Sequence, residues 1–169
     1  MNRPWTPDDL EAYLAEHQIQ AEVIRLDEPT PTVETAAAVV RVSPDQIVKS
    51  LLFLIEMPEE ERREVLVIAS GLGKIDRRLL GRHFGVNRRK TVFADAETVL
   101  ELTGYLVGAV PPVGHRQPLE VLVDPDVLSY PVVFGGGGSD QALLRLDPQD
   151  ILRYNRAEVV KVQSSSSKE

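Results

Sequence analysis

The apolar positions along this chain change period several times, and each change predicts an element. Leu10, Tyr13 and Leu14 recur at helical spacing behind Thr6, Pro7, Asp8 and Asp9, a set suited to cap and open a helix running to about residue 17. Residues 21–26 alternate like a half-buried strand. After Pro29-Thr30-Pro31, Thr32 is placed to cap a helix over 33–40, and Ser43-Pro44 starts a turn leading into Ile47. Residues 47–56 and 64–70 are dense in Val, Ile, Leu and Phe, and the acidic stretch between them contains Pro58. Two central strands joined by an exposed loop are expected there.

Residues 74–84 return to helical spacing, with Ile75, Leu79, Leu80 and Phe84 on one arc and Lys74, Arg77, Arg78 and Arg82 on the opposite arc. A short strand at 91–93 and a helix over 95–102 follow. The last third reads as strands at 105–110, 119–123, 132–134, 142–146 and 158–162, with Asp147-Pro148 opening a short helix between the last two. Helices and strands are interspersed without a regular strand–helix–strand rhythm. The expectation is an α+β fold, a mixed sheet with flanking helices, forming a single domain over residues 1–162. The serine-rich segment 163–169 has nothing to bury and is expected to be a disordered tail.

Composition narrows the chemistry. The 169 residues include no cysteine, which excludes disulfide scaffolds, thiol catalysis and cysteine-bound zinc. No apolar run approaches the roughly 20 residues of a spanning helix, and the first residues do not resemble a signal peptide. A soluble, cytoplasmic protein without a membrane partner is expected. The net charge of −7 argues against a nucleic-acid partner until its distribution is seen. Between Lys74 and Lys90 seven basic residues face one acid, a local charge of +6, which leaves −13 on the rest. Such a patch can steer a polyanion to one face, although a solvated helix face would look the same.

Phosphate-loop and nucleophile-elbow motifs are absent, and His17, His83 and His115 are too scattered for a metal site, so no cofactor or metal is expected. Asp124 and Asp126 bracket Pro125 as turn formers would. Three features remain. Lys49 is a solitary cation in an apolar strand, costly to desolvate unless an anion or carbonyl meets it, and no acid is placed to pair it. The segment Gly104-Tyr105-Leu106-Val107-Gly108-Ala109-Val110-Pro111-Pro112-Val113-Gly114 joins glycines to stiffening prolines and could present amides to a carbonyl oxygen. The run Gly135, Gly136, Gly137, Gly138 suits either an anion nest or a hairpin connection.

In their order and spacing these features resemble the YbaK/ProX family, the aminoacyl-tRNA editing domain that occurs free-standing and as an insertion in bacterial prolyl-tRNA synthetases. The matching pieces are Thr35-Ala36-Ala37, Ile47-Val48-Lys49-Ser50-Leu51, the 108–114 loop, the glycine run and Leu146-Asp147-Pro148-Gln149-Asp150-Ile151. The resemblance implies a mixed or barrel-like sheet core. It also implies hydrolysis of the ester in mischarged tRNA, most often proline tRNA, by water that the substrate's own ribose hydroxyl helps activate. On that reading the partners are the acceptor end of an aminoacyl-tRNA and a prolyl-tRNA synthetase. Lys49, Gly108 and Pro112 would form the catalytic set. Ser50, Gly114, His115 and the four glycines 135–138 would contact substrate, with Lys74, Arg77, Arg78 and Arg82 on the tRNA backbone. Ser50 stands where related subfamilies often carry Thr or Asn, and Val110 where many members carry a small polar residue, so both are expected to shape the aminoacyl pocket. Two rivals are a non-catalytic tRNA- or synthetase-binding module and a hydrolase for a small aminoacyl or nucleotide ester.

Overall fold

A computed structural model describes residues 3–164. Helices α1 (Pro7–Glu16), α2 (Val33–Val40), α3 (Arg77–Phe84), α4 (Ala96–Thr103) and α5 (Pro148–Asn155) start at the side-chain caps Thr6, Thr32, Asp76, Asp95 and Asp147. Each cap oxygen accepts an otherwise unpartnered N–H of the first turn. The strands are β1 (Ala21–Arg25), β2 (Val48–Glu56), β3 (Arg62–Ser70), β4 (Thr91–Phe93), β5 (Glu120–Val123), β6 (Val133–Gly136), β7 (Ala142–Leu146) and β8 (Glu158–Val159).

The strands form two sheets rather than a closed barrel among the described residues. One has the order β4-β2-β3-β5-β8, antiparallel through β4, β2 and β3 and parallel beyond, and the other has the order β1-β7-β6. A single parallel bridge, Ile47 to Phe134, links them. The mixed α+β architecture is therefore the expected one.

Three expected elements differ. Residues 105–110 are a loop, because Gly104 ends α4 in the left-handed region (φ 93°) and the Tyr105 hydroxyl donates to the Gly114 carbonyl (2.8 Å) instead of the strand finding a partner. α3 begins at Arg77, so Lys74 sits in the preceding turn, off the helix. β8 stops at Val159, since Val162 N–H and Gln163 N–H turn inward to Asp124 Oδ2 (both 2.8 Å). Gln163 is consequently part of the fold and not of a tail: its amide exchanges bonds with Ser70 N–H and C=O (3.1 and 2.9 Å), standing in for a neighbouring strand. Residues 165–169 of the expected tail lie outside the described residues.

Asp124 is fully buried and also accepts from Asp126 N–H (2.9 Å), so it is a turn former and a clamp on the C-terminal segment. Asp124→Ala would leave three main-chain donors short of a partner, at roughly 1–3 kcal/mol for each that stays dry. Urea denaturation should show a loss of about 3 kcal/mol. A loss under about 1 kcal/mol would mean that water replaces the carboxylate.

Candidate functional site

The two sheets touch at Ile47–Phe134 and then part, and the gap between them is a cleft of about 320 Å³. That is near the lower end of small-ligand pockets, roughly 300–1,000 Å³. Its walls are Ile47 and β2 from Val48 to Leu52, the exit of β4 at Phe93 and Ala94, and Gly135 and Gly136 of β6. Val107, Gly108 and Val110 close one side, and Thr30, Thr32 and Val33 at the start of α2 close the other.

Strand alternation decides what β2 offers. Ile47 C=O accepts from Gly71 N–H (2.7 Å), so odd-numbered main-chain groups face β3, while Leu52 C=O accepts from Ala94 N–H (3.0 Å), so even-numbered groups face β4. The β4 ladder ends at that Ala94 bond, and the next link along this edge is the Ile47–Phe134 bridge. Between them the N–H and C=O of Ser50 point into the gap. Its side chain adds a third polar group: Ser50 Oγ is buried and, among the described residues, is the one buried side-chain polar atom with no hydrogen-bond partner.

Lys49 projects to the opposite face of the strand from Ser50 and reaches the turn after β3, where Nζ donates to Gly73 O (2.7 Å) and, at longer range, to Gly71 O (3.4 Å). The expectation of a cation without a protein partner is thus corrected: two carbonyls meet it. An ammonium carries three N–H bonds, so at least one remains for a ligand. Burial pushes Lys49 below the ordinary lysine value, and the like charge of Lys74 pushes the same way.

Lys49, Ser50, Gly108, Gly135 and Gly136 are therefore brought together. Gly108 lies in the left-handed region (φ 89°) at the cleft wall, with open space where a side chain would begin. Other expected residues lie elsewhere. Pro112 sits behind the wall, because its ring packs where a Cβ of Gly135 would stand (2.7 Å) and its carbonyl accepts from Asn155 Nδ2 (2.8 Å). Gly137 and Gly138 belong to the β6–β7 connection; a Cβ at Gly137 would strike Ala142 (2.6 Å), and one at Gly138 would strike Pro7 (2.9 Å). The glycine run answers close backbone packing in a hairpin, not an anion nest.

Gly114 and His115 line a different, more polar cavity of about 520 Å³ near Tyr13, His17 and Tyr154. The His115 Nε2–H donates to Pro111 O (2.7 Å), a tautomer fixed by a carbonyl that can only accept, so this histidine braces the proline loop from outside the cleft. Arg77 is likewise structural: Nε donates to Thr91 O (2.8 Å) and Thr91 Oγ1 (3.2 Å), tying α3 to β4. Arg78 and Arg82 of α3, with Lys74, remain exposed. Thr30, Thr32 and Phe93 are cleft residues that the sequence did not single out. The caps and strand ends that place them carry no chemical signature of their own.

Residues 27–154 match the aminoacyl-tRNA editing domain family, and the chain belongs to it. The chain is 30% identical to the uncharacterized protein YwhH of Bacillus subtilis (strain 168), over 82% of this chain and 83% of that one. Its fold superposes on a structure proposed to be a trans-editing enzyme for prolyl tRNA synthetase with a TM-score of 0.83, at 33% identity and covering 94% of this chain and 97% of that one. It superposes on the hypothetical protein APE2540 with a TM-score of 0.81, at 31% identity, covering 92% and 99%. No helix among the described residues is long and apolar enough to cross a membrane.

His115 makes folding sensitive to acid. Burial lowers its pKa from 6.5 to about 4, opposed by the bond to Pro111. Above pH 6.5 the imidazole is neutral both folded and unfolded; below it the unfolded chain takes up a proton that the folded chain refuses until about pH 4. Stability therefore falls as pH drops through this window. Chemical denaturation at about pH 7.5 and about pH 5 should show wild type losing about 2 kcal/mol more than His115→Gln. Parallel losses in the two proteins would mean that His115 is not held neutral.

Proposed function

We propose that this protein is an aminoacyl-tRNA deacylase acting in trans, hydrolysing the ester of a mischarged tRNA. The observation that carries the reading is a single cleft lined by Lys49, by Ser50 with its unpartnered hydroxyl, and by the Gly108 loop. The polar side chains on its walls are Thr30, Thr32, Lys49 and Ser50, with no carboxylate or imidazole among them. A general base must then come with the substrate, and the ribose hydroxyl next to the ester is placed to accept the proton of the attacking water. The chain contributes position and charge. Ser50 N–H meets the ester carbonyl, whose oxygen gains charge as the tetrahedral intermediate forms; Ser50 C=O and Oγ receive the α-ammonium; Lys49 steadies the negative charge. Preorganised donors of this kind are worth several kcal/mol each in a site that excludes water.

The remaining walls are aliphatic, from Val33, Ala36, Val48, Leu52, Val99 and Val110. A cleft of this size suits a small aminoacyl group, and the relative proposed to edit for prolyl tRNA synthetase favours tRNA-Pro as its carrier. Size exclusion separates side chains by only about 1–3 kcal/mol per methylene, so selectivity should be graded and not absolute. Hydrolysis measured across a panel of mischarged tRNAs is the test. Turnover confined to small non-cognate residues on tRNA-Pro supports the reading, whereas tRNA binding without hydrolysis of any member would make the protein a binding module.

The exposed Lys74, Arg78 and Arg82 supply the cationic approach for the tRNA backbone. Changing all three to Glu should weaken tRNA binding at least tenfold and flatten its salt dependence, because fewer counterions are released. Hydrolysis of a minimal aminoacyl-adenosine should stay unchanged. Equal tRNA affinity across a salt series would return these residues to the role of a solvated surface.

A further inference from the structure

Phe93 is the one aromatic side chain on the cleft walls, and it is 56% exposed in a protein whose other phenylalanines on the sheets, Phe53 and Phe134, are buried. Its place is set by the ladder. Phe93 stands directly opposite Phe53, flanked by the pairs Leu54–Val92 and Leu52–Ala94 that share the β4 edge, so the two phenylalanines are a non-hydrogen-bonded pair with side chains close together. Their ring centroids are 4.5 Å apart with planes inclined by 33°. Phe53, fully buried, thus backs one face of Phe93 and fixes the ring, while the other face opens to solvent at the mouth of the cleft.

By the two-residue alternation, Lys49 and Leu51 lie on the same side of β2 as Phe53, and so on the same side as the Phe93 ring. α3 covers this side too, with Leu80 in one core cluster with Phe53. The exposed Arg88 and Arg89 precede Phe93 by five and four residues, in a 3-10 turn over Arg88–Lys90 that leads directly into β4. The exposed face of Phe93 therefore stands at the edge of the cleft, where the basic turn over Arg88–Lys90 enters β4. Leaving a large apolar ring exposed at that point has a use if a second flat ring covers it.

We propose that Phe93 is the stacking platform for the 3′-terminal adenine of the substrate, holding the base outside the cleft so that the ribose ester reaches Ser50. This rests on the deacylase reading for its substrate. Stacking of a base on an aromatic side chain tolerates any base because every base offers a π-face, and it depends on ring area more than on hydrogen bonding. Phe93→Tyr and Phe93→Trp should therefore keep the function that Phe93→Ala loses.

The test uses the intact chain and two readouts. In steady-state hydrolysis, Phe93→Ala should raise KM about tenfold for an aminoacyl-adenosine with little change in kcat. The same variant should be unaffected on an aminoacyl ester of ribose lacking the base, and Phe93→Tyr should match wild type on both. In an NMR titration with adenosine monophosphate, which needs no turnover, the Phe93 ring protons should shift upfield in wild type, and affinity should fall in Phe93→Ala. Ring shifts without hydrolysis of any ester would sustain the platform and refute the deacylase. Hydrolysis with no ring shift, or an equal KM rise on the base-free ester, would overturn the platform.

Discussion

The site depends on how closely two stretches of main chain approach each other behind it. A Cβ on Gly136 would overlap the Val110 carbonyl and stand 3.0 Å from the Ala109 carbonyl carbon, and one on Gly135 would meet the Pro112 ring. With hydrogen in place of Cβ, β6 lies directly on the 109–112 loop, and Gly138 N–H donates to Ala109 O (3.0 Å) to secure the contact. β6 is thereby held to the loop and to its partner β7 while β2 stays with β3, and the sheets separate after Ile47–Phe134. Larger residues at 135 or 136 would push the loop outward and change the width of the cleft, whatever became of Lys49.

Within the cleft the chemistry is that of an unfinished sheet edge. The β4 ladder stops short of Ser50, and the Ser50 hydroxyl, which would ordinarily find a carbonyl, has no partner. Leaving that hydroxyl without a protein partner costs stability unless water or a ligand meets it. Lys49 differs, since Gly71 and Gly73 hold it in place while leaving it part of its donor capacity. Under the proposed deacylase reading, a fixed donor at Lys49 and an open hydroxyl at Ser50 would grip a charged ester without moving.

Much of this was legible in the sequence because local rules decide it. Thr6, Thr32 and Asp147 cap helices where their spacing predicted, and Ile47 to Ser70 pair as two adjacent strands. The gathering of Lys49, Gly108 and Gly135 at one cleft was also readable, through resemblance, not periodicity. What stayed hidden was decided by long-range contacts. Tyr105 reads as strand until its hydroxyl is seen to reach Gly114, and Gln163 reads as tail until its amide meets Ser70. His115 and Pro112 are adjacent to the site in sequence, yet packing against Pro111 and Gly135 turns them into its supports.

The role given to Lys49 is decided by single-turnover hydrolysis of a mischarged tRNA by Lys49→Ala, with a thermal melt beside it. The rate should be lower by at least about a hundredfold, near 2.7 kcal/mol of transition-state stabilisation. Stability should fall by only about 1 kcal/mol, because the abandoned carbonyls of Gly71 and Gly73 lie at a turn. Lys49→Arg should recover part of the rate, since a planar fork does not reproduce a compact ammonium. Full activity in folded Lys49→Ala would contradict the account.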